Sequence, residues 1–174
     1  MTLTMYQASV PVFTRGLTAL LAILDKAAGS AAARGIEPAA LLQARLAPDM
    51  FPLVRQVQVA SDAAKGAAAR LAGVEVPSMP DTETSFDALK ARVQATVEFI
   101  QACDASAIDG SEERTITITM RTGTMIFAGQ PYLLHFALPN FFFHLTTAYH
   151  LTTAYDILRH NGVELGKRDF LGAS

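Results

Sequence analysis

The amino-acid sequence predicts an all-α fold, a four-helix bundle with a short β-hairpin inserted before the last long helix. Apolar residues recur at three- and four-residue spacing in four long segments, which is typical of amphipathic helices. Before the last of these, one segment alternates with a period of two, which is typical of strands. The chain has 174 residues, a length usual for one domain, so we expect residues 1–174 to form a single unit.

The first two helices are predicted before residue 46. Leucines at three- and four-residue spacing give residues 6–26 an apolar stripe, and the Gly29-Ser30 pair is expected to end this helix. A short helix over 38–45 follows the turn at Gly35.

Two longer helices are expected next. Asp49 is a good N-cap for a helix that reaches Leu71, and Gly73 supplies its C-terminal stop. Ser85 caps a third long helix over 86–102. The link between these helices is long enough to join non-neighbouring ends as well as adjacent ones.

The hairpin is predicted over about 114–128. Residues 115–120 alternate strictly and are rich in β-branched side chains, and 124–127 form a plausible partner strand after a turn at Gly123. An isolated two-stranded hairpin is only marginally stable, so this one is expected to lie against the helices. Its open edge is also a ready surface for pairing with another chain.

The last long helix is predicted over 130–161, with Gly162 as its cap, and Pro139 either kinks it or starts a second helix. Within it, the six residues 144–149 (HLTTAY) are repeated at 150–155. Six residues turn a helix by roughly 600°, so the two copies lie about 120° apart and cannot have equivalent surroundings. We interpret the repeat as a local duplication absorbed by a longer helix or a bulge; the alternative is that it brings a second His and Tyr into the bundle.

A small polar pocket between the second and fourth long helices is the candidate site. Gln56 lies seven residues after Asp49, on the apolar stripe that faces the interior. A buried amide must find partners, and Asn140 and His144, four residues apart on one helix face, are the candidates. His150 lies on the neighbouring stripe. The alternative is that Gln56 only caps the edge of the helix interface.

The sequence predicts no metal or other cofactor. No two of the four histidines are four residues apart, as a helical zinc motif requires. His144 and His150 are weak candidates for zinc or nickel, because asparagine is a poor substitute for imidazole toward these ions. The signatures of a serine-nucleophile elbow and of a phosphate-binding loop are also missing.

Composition limits the partners. The charged share is 17%, against the usual value of about 25%, so we expect part of the surface to be covered in a homodimer. A net charge of −2 argues against nucleic acid. The lone Cys103 and the absence of a signal-peptide pattern predict a cytoplasmic protein, and the apolar run 17–24 is too short to span a membrane.

Several motifs in this chain resemble those of a family of uncharacterised bacterial proteins related to the DinB/YfiT-like metalloenzymes. The resemblance covers most of the chain and rests on four segments: DMFPL with Gln56-Val57 (49–57), PNFFFH (139–144), LRHNGV (158–163) and GKRD (166–169).

The resemblance implies a DinB-like four-helix bundle that is often dimeric. Members of the wider superfamily often hold a divalent metal with three histidines, one from the second helix and two from the fourth. The matching positions here are Gln56, Asn140 and His144, so two of the three imidazoles are replaced.

Two functional hypotheses remain open on the sequence. The first is a dimeric bundle that binds a small molecule in the polar pocket. The second is a metal-dependent hydrolase or thiol transferase, with His144, His150 and His135 as ligands and Gln56 or Asp49 positioning water. A third, weaker idea is an interaction module that pairs through the hairpin edge.

Overall fold

Helices account for most of the chain, and one two-stranded antiparallel sheet accompanies them. The computed structural model describes residues 3–45, 48, 50–120, 123–145 and 157–164, and of residues 143–145 it describes the backbone alone. The prediction of a mostly helical protein with one hairpin is therefore confirmed.

Helix α1 (Met5–Arg34) is longer than predicted. Thr4 caps its start, and Gly35 ends it in the left-handed conformation at φ 61°. The expected end at Gly29 is wrong, because Gly29 lies exposed on the helix while the buried stripe continues to Ala31. A glycine inside a helix costs less than the burial of another apolar turn gains.

Among the described helices, α1 is the one whose length and apolar character would let it cross a membrane, a criterion that many core helices also meet. Its buried face includes Phe13, Leu17, Leu20 and Leu24, each at most 1% exposed. This face packs mainly against α4, so the apolar stripe is used within the protein.

After the short helix α2 (Pro38–Leu42), helix α3 (Leu53–Ala72) begins three residues later than predicted. Pro52 occupies the N-cap position, and a residue before a proline is disfavoured in the helical conformation, so the helix cannot extend back through Phe51. The predicted cap, Asp49, lies outside the described residues. Most of α3 is buried, and its alanines let the other helices approach closely.

Helix α4 (Phe86–Ala102) begins at Ser85 as predicted, with the serine hydroxyl accepting the N–H of Ala88 at 3.1 Å. A further short helix, α5 (Ala105–Asp109), was not predicted. Its Asp109 carboxylate accepts the backbone N–H of Tyr6 at 2.7 Å and so ties the end of α5 to the start of α1.

The hairpin is confirmed. Strands β1 (Thr115–Met120) and β2 (Gly123–Ala128) pair antiparallel, with Ile116 opposite Phe127. Ile116 and Ile118 are buried in the main core, which is how the helices support the two strands.

The last helical rod starts directly after β2 and contains a widened turn. Helix α6 (Gly129–Tyr132) leads into a π-helical turn (Leu133–Ala137) and then into α7 (Leu138–Leu145). The N–H of Leu138 bonds to the carbonyl of Leu133, five residues back. Because Pro139 lacks an N–H and crowds the carbonyl one turn earlier, a wider turn at this point accommodates the proline, and a new α-helical segment begins at Leu138.

The predicted continuation of this helix to residue 161 is only partly described. Residues 146–156, which hold most of the HLTTAY repeat, lie outside the described residues. A helical turn at 157–160 ends at Gly162, whose φ of 80° fits the predicted cap.

Side-chain contacts show that α3 and α4 run in the same direction. Gln58, near the start of α3, bonds to Glu83 just before α4, and Leu71, near the end of α3, accepts a bond from Arg114 beyond α4. The link from 73 to 85 must therefore travel back along the ~30 Å length of α3. Its 13 residues can reach ~43 Å when extended, so the long connection foreseen in the sequence is used.

The last rod runs alongside α1. Phe13 meets Phe141, and further along both segments Arg34 bonds to the carbonyl of Asn161. Helix α4 runs opposite to α1, because Lys90 at its start reaches Asp25 in the second half of α1. The last rod and α1 therefore point one way, and α3 and α4 point the other.

Candidate functional site

Gln56 is a buried side chain with one unsatisfied polar atom. It lies in the first turn of α3 and is 1% exposed. Its Nε2 donates to the backbone carbonyl of Phe51 at 2.9 Å, while its Oε1 is buried and has no hydrogen-bond partner among the described residues. A carbonyl can only accept, so this bond fixes which end of the amide is nitrogen. Buried acceptors without partners are uncommon and call for an explanation.

The chain before α3 explains why this carbonyl is available. Phe51 precedes Pro52 and is held out of the helix, so its carbonyl is not used in the helical ladder. The N–H of Leu53 bonds to the carbonyl of Ala44 at 3.0 Å, which anchors the incoming loop against the end of α2. The Gln56 amide is thereby held between its own helix and a tethered loop.

Helix α7 packs against α3 and carries the predicted partners of Gln56. Asn140 is half-buried on α7, and His144 lies on the same helix, with its side chain outside the described residues. Asp49 and His150 also lie outside the described residues. His135, considered as a third metal ligand, is exposed on the π-helical turn.

The orientation of α7 is fixed by the phenylalanine next to Asn140. Phe141 is fully buried and meets the ring of Phe13 edge-on, with centroids 4.8 Å apart and an interplanar angle of 81°. Phe142 is partly buried against the core. The Phe run thus locks α7 onto α1, and this fixes the side from which Asn140 projects.

Of the predicted site residues whose side chains the structure describes, Gln56 and Asn140 are poor ligands for zinc or nickel. Over the described part of the chain, no group of three or more His, Cys, Asp or Glu side chains is placed to hold a metal ion. Gln56 and Asn140 offer amide groups, whereas zinc and nickel favour imidazole and thiolate. The amide nitrogen of Gln56 is also engaged with Phe51, so only a weak carbonyl donor remains.

A second polar group, which we call the Arg92 cluster (Arg92 with Asp62, Asp81 and Glu83), lies between α3, α4 and their link. The Arg92 side chain is 2% exposed and lies 2.9 Å from Asp62, 3.0 Å from Asp81 and 3.0 Å from Glu83. Gln58 donates to the other oxygen of Glu83 at 2.8 Å. Sequence reasoning missed this cluster; the one available signal was a charged Arg92 beside the buried stripe of α4.

Electrostatics favour the ionised forms of Glu83 and Arg92. Burial alone raises the pKa of Glu83, but hydrogen bonds from Arg92 and Gln58 outweigh it and hold that pKa below its ordinary value. Burial likewise lowers the pKa of Arg92, and the surrounding carboxylates more than compensate and raise it. The cluster fastens the long link to both helices, which is a structural role.

Two further buried titratable side chains, Cys103 and Tyr132, also have structural roles. Cys103 is buried and donates to the Phe99 carbonyl at 3.5 Å, and burial raises the pKa of its thiol, which disfavours the reactive thiolate. Tyr132 packs between Phe127 and Phe136 at the base of the hairpin, with centroids 6.0 Å and 5.9 Å away. Burial raises its pKa, so it stays protonated.

The arrangement of these helices is that of the DinB class. The crystal structure of a DinB family member from Shewanella denitrificans, determined at 1.83 Å resolution, is similar to this chain with a TM-score of 0.84 and 37% sequence identity. The similarity covers 97% of this chain and 92% of that one.

Residues 5–171 match the model of the family described as "Domain of unknown function (DUF1993)". The chain belongs to this family, and the predicted relation to the DinB proteins is confirmed. No curated protein sequence gives a significant match.

Proposed function

We propose that this protein is a homodimeric, cytoplasmic four-helix bundle that binds a small polar molecule in the cleft between α3 and α7. The observation that carries the proposal is the buried Oε1 of Gln56, which has no hydrogen-bond partner among the residues that the structure describes. Leaving such an acceptor without a partner costs about 1–3 kcal/mol. A ligand that supplies the missing hydrogen bond would offset this cost.

The bundle itself is supported by the helix directions. Helices α1, α3 and α4 and the last rod are the four long elements, and their contacts give two pairs of opposite direction. They enclose one continuous core, which supports treating residues 1–174 as a single domain.

The dimer is supported by the low charged share of 17% and by exposed apolar side chains such as Ile126, which is 69% exposed. Sedimentation equilibrium is expected to give about twice the chain mass of 18.6 kDa. A single monomer species at micromolar concentration would contradict the dimer. A cytoplasmic location is supported by the unpaired, buried Cys103.

We also propose that no zinc or nickel is bound as a resident cofactor, because the amides at 56 and 140 stand where the superfamily's imidazoles would be. Elemental analysis of protein purified without a histidine tag is expected to give substoichiometric zinc, nickel, iron and manganese. A full equivalent of any of these metals would instead support a metal-dependent hydrolase or transferase. No observation on this chain favours that alternative.

The ligand-binding proposal is tested with a matched pair of glutamine substitutions. Gln56→Met removes the buried acceptor and keeps the side-chain length, and Gln94→Met makes the same change at an exposed position of α4. In a thermal-shift screen of small polar compounds, some should raise the melting temperature of the wild type and of Gln94→Met but not of Gln56→Met. If no compound separates the two variants, the cleft is not the binding site.

A further inference from the structure

We infer that the Gln56 site selects an uncharged hydrogen-bond donor, a hydroxyl or an amide N–H, over anions and cations. This inference rests on the proposed function, because it specifies the chemistry of the molecule that the cleft would bind. It follows from three properties of one side chain: its orientation, its burial and its position in α3.

The orientation of the amide excludes anions. The Phe51 carbonyl holds the Nε2 end of Gln56, so the end presented to a ligand is the Oε1 acceptor. A carboxylate or a thiolate carries no proton and would meet this oxygen with like partial charge. A ligand atom at this position must therefore donate.

Burial and helix position disfavour cations. At 1% exposure, Gln56 lies where an ion would lose most of its hydration, and the described residues hold no group of three or more His, Cys, Asp or Glu side chains that could replace it. Gln56 is also in the first turn of α3, where the helix dipole places partial positive charge.

An uncharged hydrogen-bond donor is compatible with the orientation, the burial and the helix position of Gln56. Two kinds of molecule share this chemistry: a small organic molecule with a hydroxyl or primary amide, and a tightly held water. The experiment must therefore separate an exchangeable organic ligand from a resident water.

The test uses three small probes that share an acetyl group, and NMR detection. Acetamide donates and accepts, N,N-dimethylacetamide is uncharged but cannot donate, and acetate is an anion. The side-chain amide signals of Gln56 are assigned as the pair that disappears in Gln56→Met. Acetamide should shift these signals saturably, with an affinity of millimolar order for so small a ligand, whereas the other two should not.

The variant provides the quantitative readout. Loss of one neutral hydrogen bond to a buried acceptor should raise the dissociation constant of acetamide about tenfold in Gln56→Met, followed on the backbone amides of α3. Gln94→Met should leave the constant unchanged.

Any other binding pattern of the three probes would contradict the inference, and the patterns differ in what they imply for the proposed function. Equal binding of N,N-dimethylacetamide or acetate at Gln56 would contradict the selection for donors and leave the proposed binding function standing. If no probe shifts the signals, both the inference and the proposed function are wrong; a water that exchanges slowly and shows a nuclear Overhauser effect to Gln56 would then account for the acceptor.

Discussion

The Nη2 atom of Arg92 lies 2.9 Å from the Asp62 carboxylate, and this contact joins two helices that run in parallel. Parallel neighbours cannot be joined by a tight turn, so the chain needs a long return link. The same guanidinium bonds to Asp81 and Glu83 at the far end of that link. One buried cation thus secures the connection that distinguishes this topology from a simple up-down bundle.

Replacing Arg92 should strongly destabilise the fold. Arg92→Met keeps the apolar stem but leaves the largely buried Glu83 without its cation, while Asp62 retains Lys65 and Asp81 retains Arg55. The loss is expected to cost about 3 kcal/mol. Urea unfolding followed by circular dichroism measures the change. The matched control is Lys90→Met on the same helix, whose ion pair with Asp25 is at the surface and should matter little. Similar losses of unfolding free energy in both variants would show that Arg92 contributes no more to stability than a surface ion pair.

Stability should fall in acid partly through Glu83. Its pKa is lower in the folded protein than the 4.5 of an unperturbed glutamate, so the folded state favours the ionised carboxylate. Its contribution is complete above that ordinary value and is lost as the pH falls through the lowered pKa. The free energy of unfolding, measured from neutral pH down to pH ~3, should decline less steeply in Glu83→Gln than in the wild type. Identical pH dependence in both proteins would remove Glu83 from this role.

Gly129 is expected to tolerate no side chain, whereas Gly29 should accept one. A Cβ at Gly129 would overlap the backbone carbonyl oxygen of Ser111, where the hairpin meets the last rod, and a Cβ at Gly29 would meet nothing within 4 Å. Gly129→Ala should therefore lose about 1–3 kcal/mol or more, and Gly29→Ala should gain about 0.5–1 kcal/mol from its better helix propensity. Thermal unfolding distinguishes them, and a stable Gly129→Ala would mean that the hairpin can move away from the rod.

The helix and strand limits that depend on nearby residues could be predicted from the sequence. The cap at Ser85, the alternation of 115–120 and the cap at Gly162 each act within a few residues, and all three are confirmed. Two helix limits were predicted wrongly, the first because packing overrode a local signal and the second because a local signal was overlooked. Helix α1 runs through Gly29 because more core lies beyond it, and α3 starts after Pro52 because proline restricts the residue before it.

The candidate site could be predicted only in part. Gln56 is buried, as its place on an apolar stripe indicated. Its bond to the Phe51 carbonyl could not be foreseen, because the sequence indicated an earlier helix start that would have used this carbonyl. The Arg92 cluster joins side chains up to 30 residues apart, and periodicity does not reveal such pairings. The convergence of Gln56 with Asn140 and His144 stays a prediction.

The central claim is that the α3–α7 cleft has the geometry of the superfamily's metal site but has lost two of its imidazoles. Zinc titration by calorimetry of the wild type and of a Gln56→His, Asn140→His double variant tests this most directly. We expect no specific binding by the wild type and one tightly bound equivalent in the double variant, lost again on adding His144→Ala. Tight stoichiometric zinc binding by the wild type, or none by the double variant, would contradict the account.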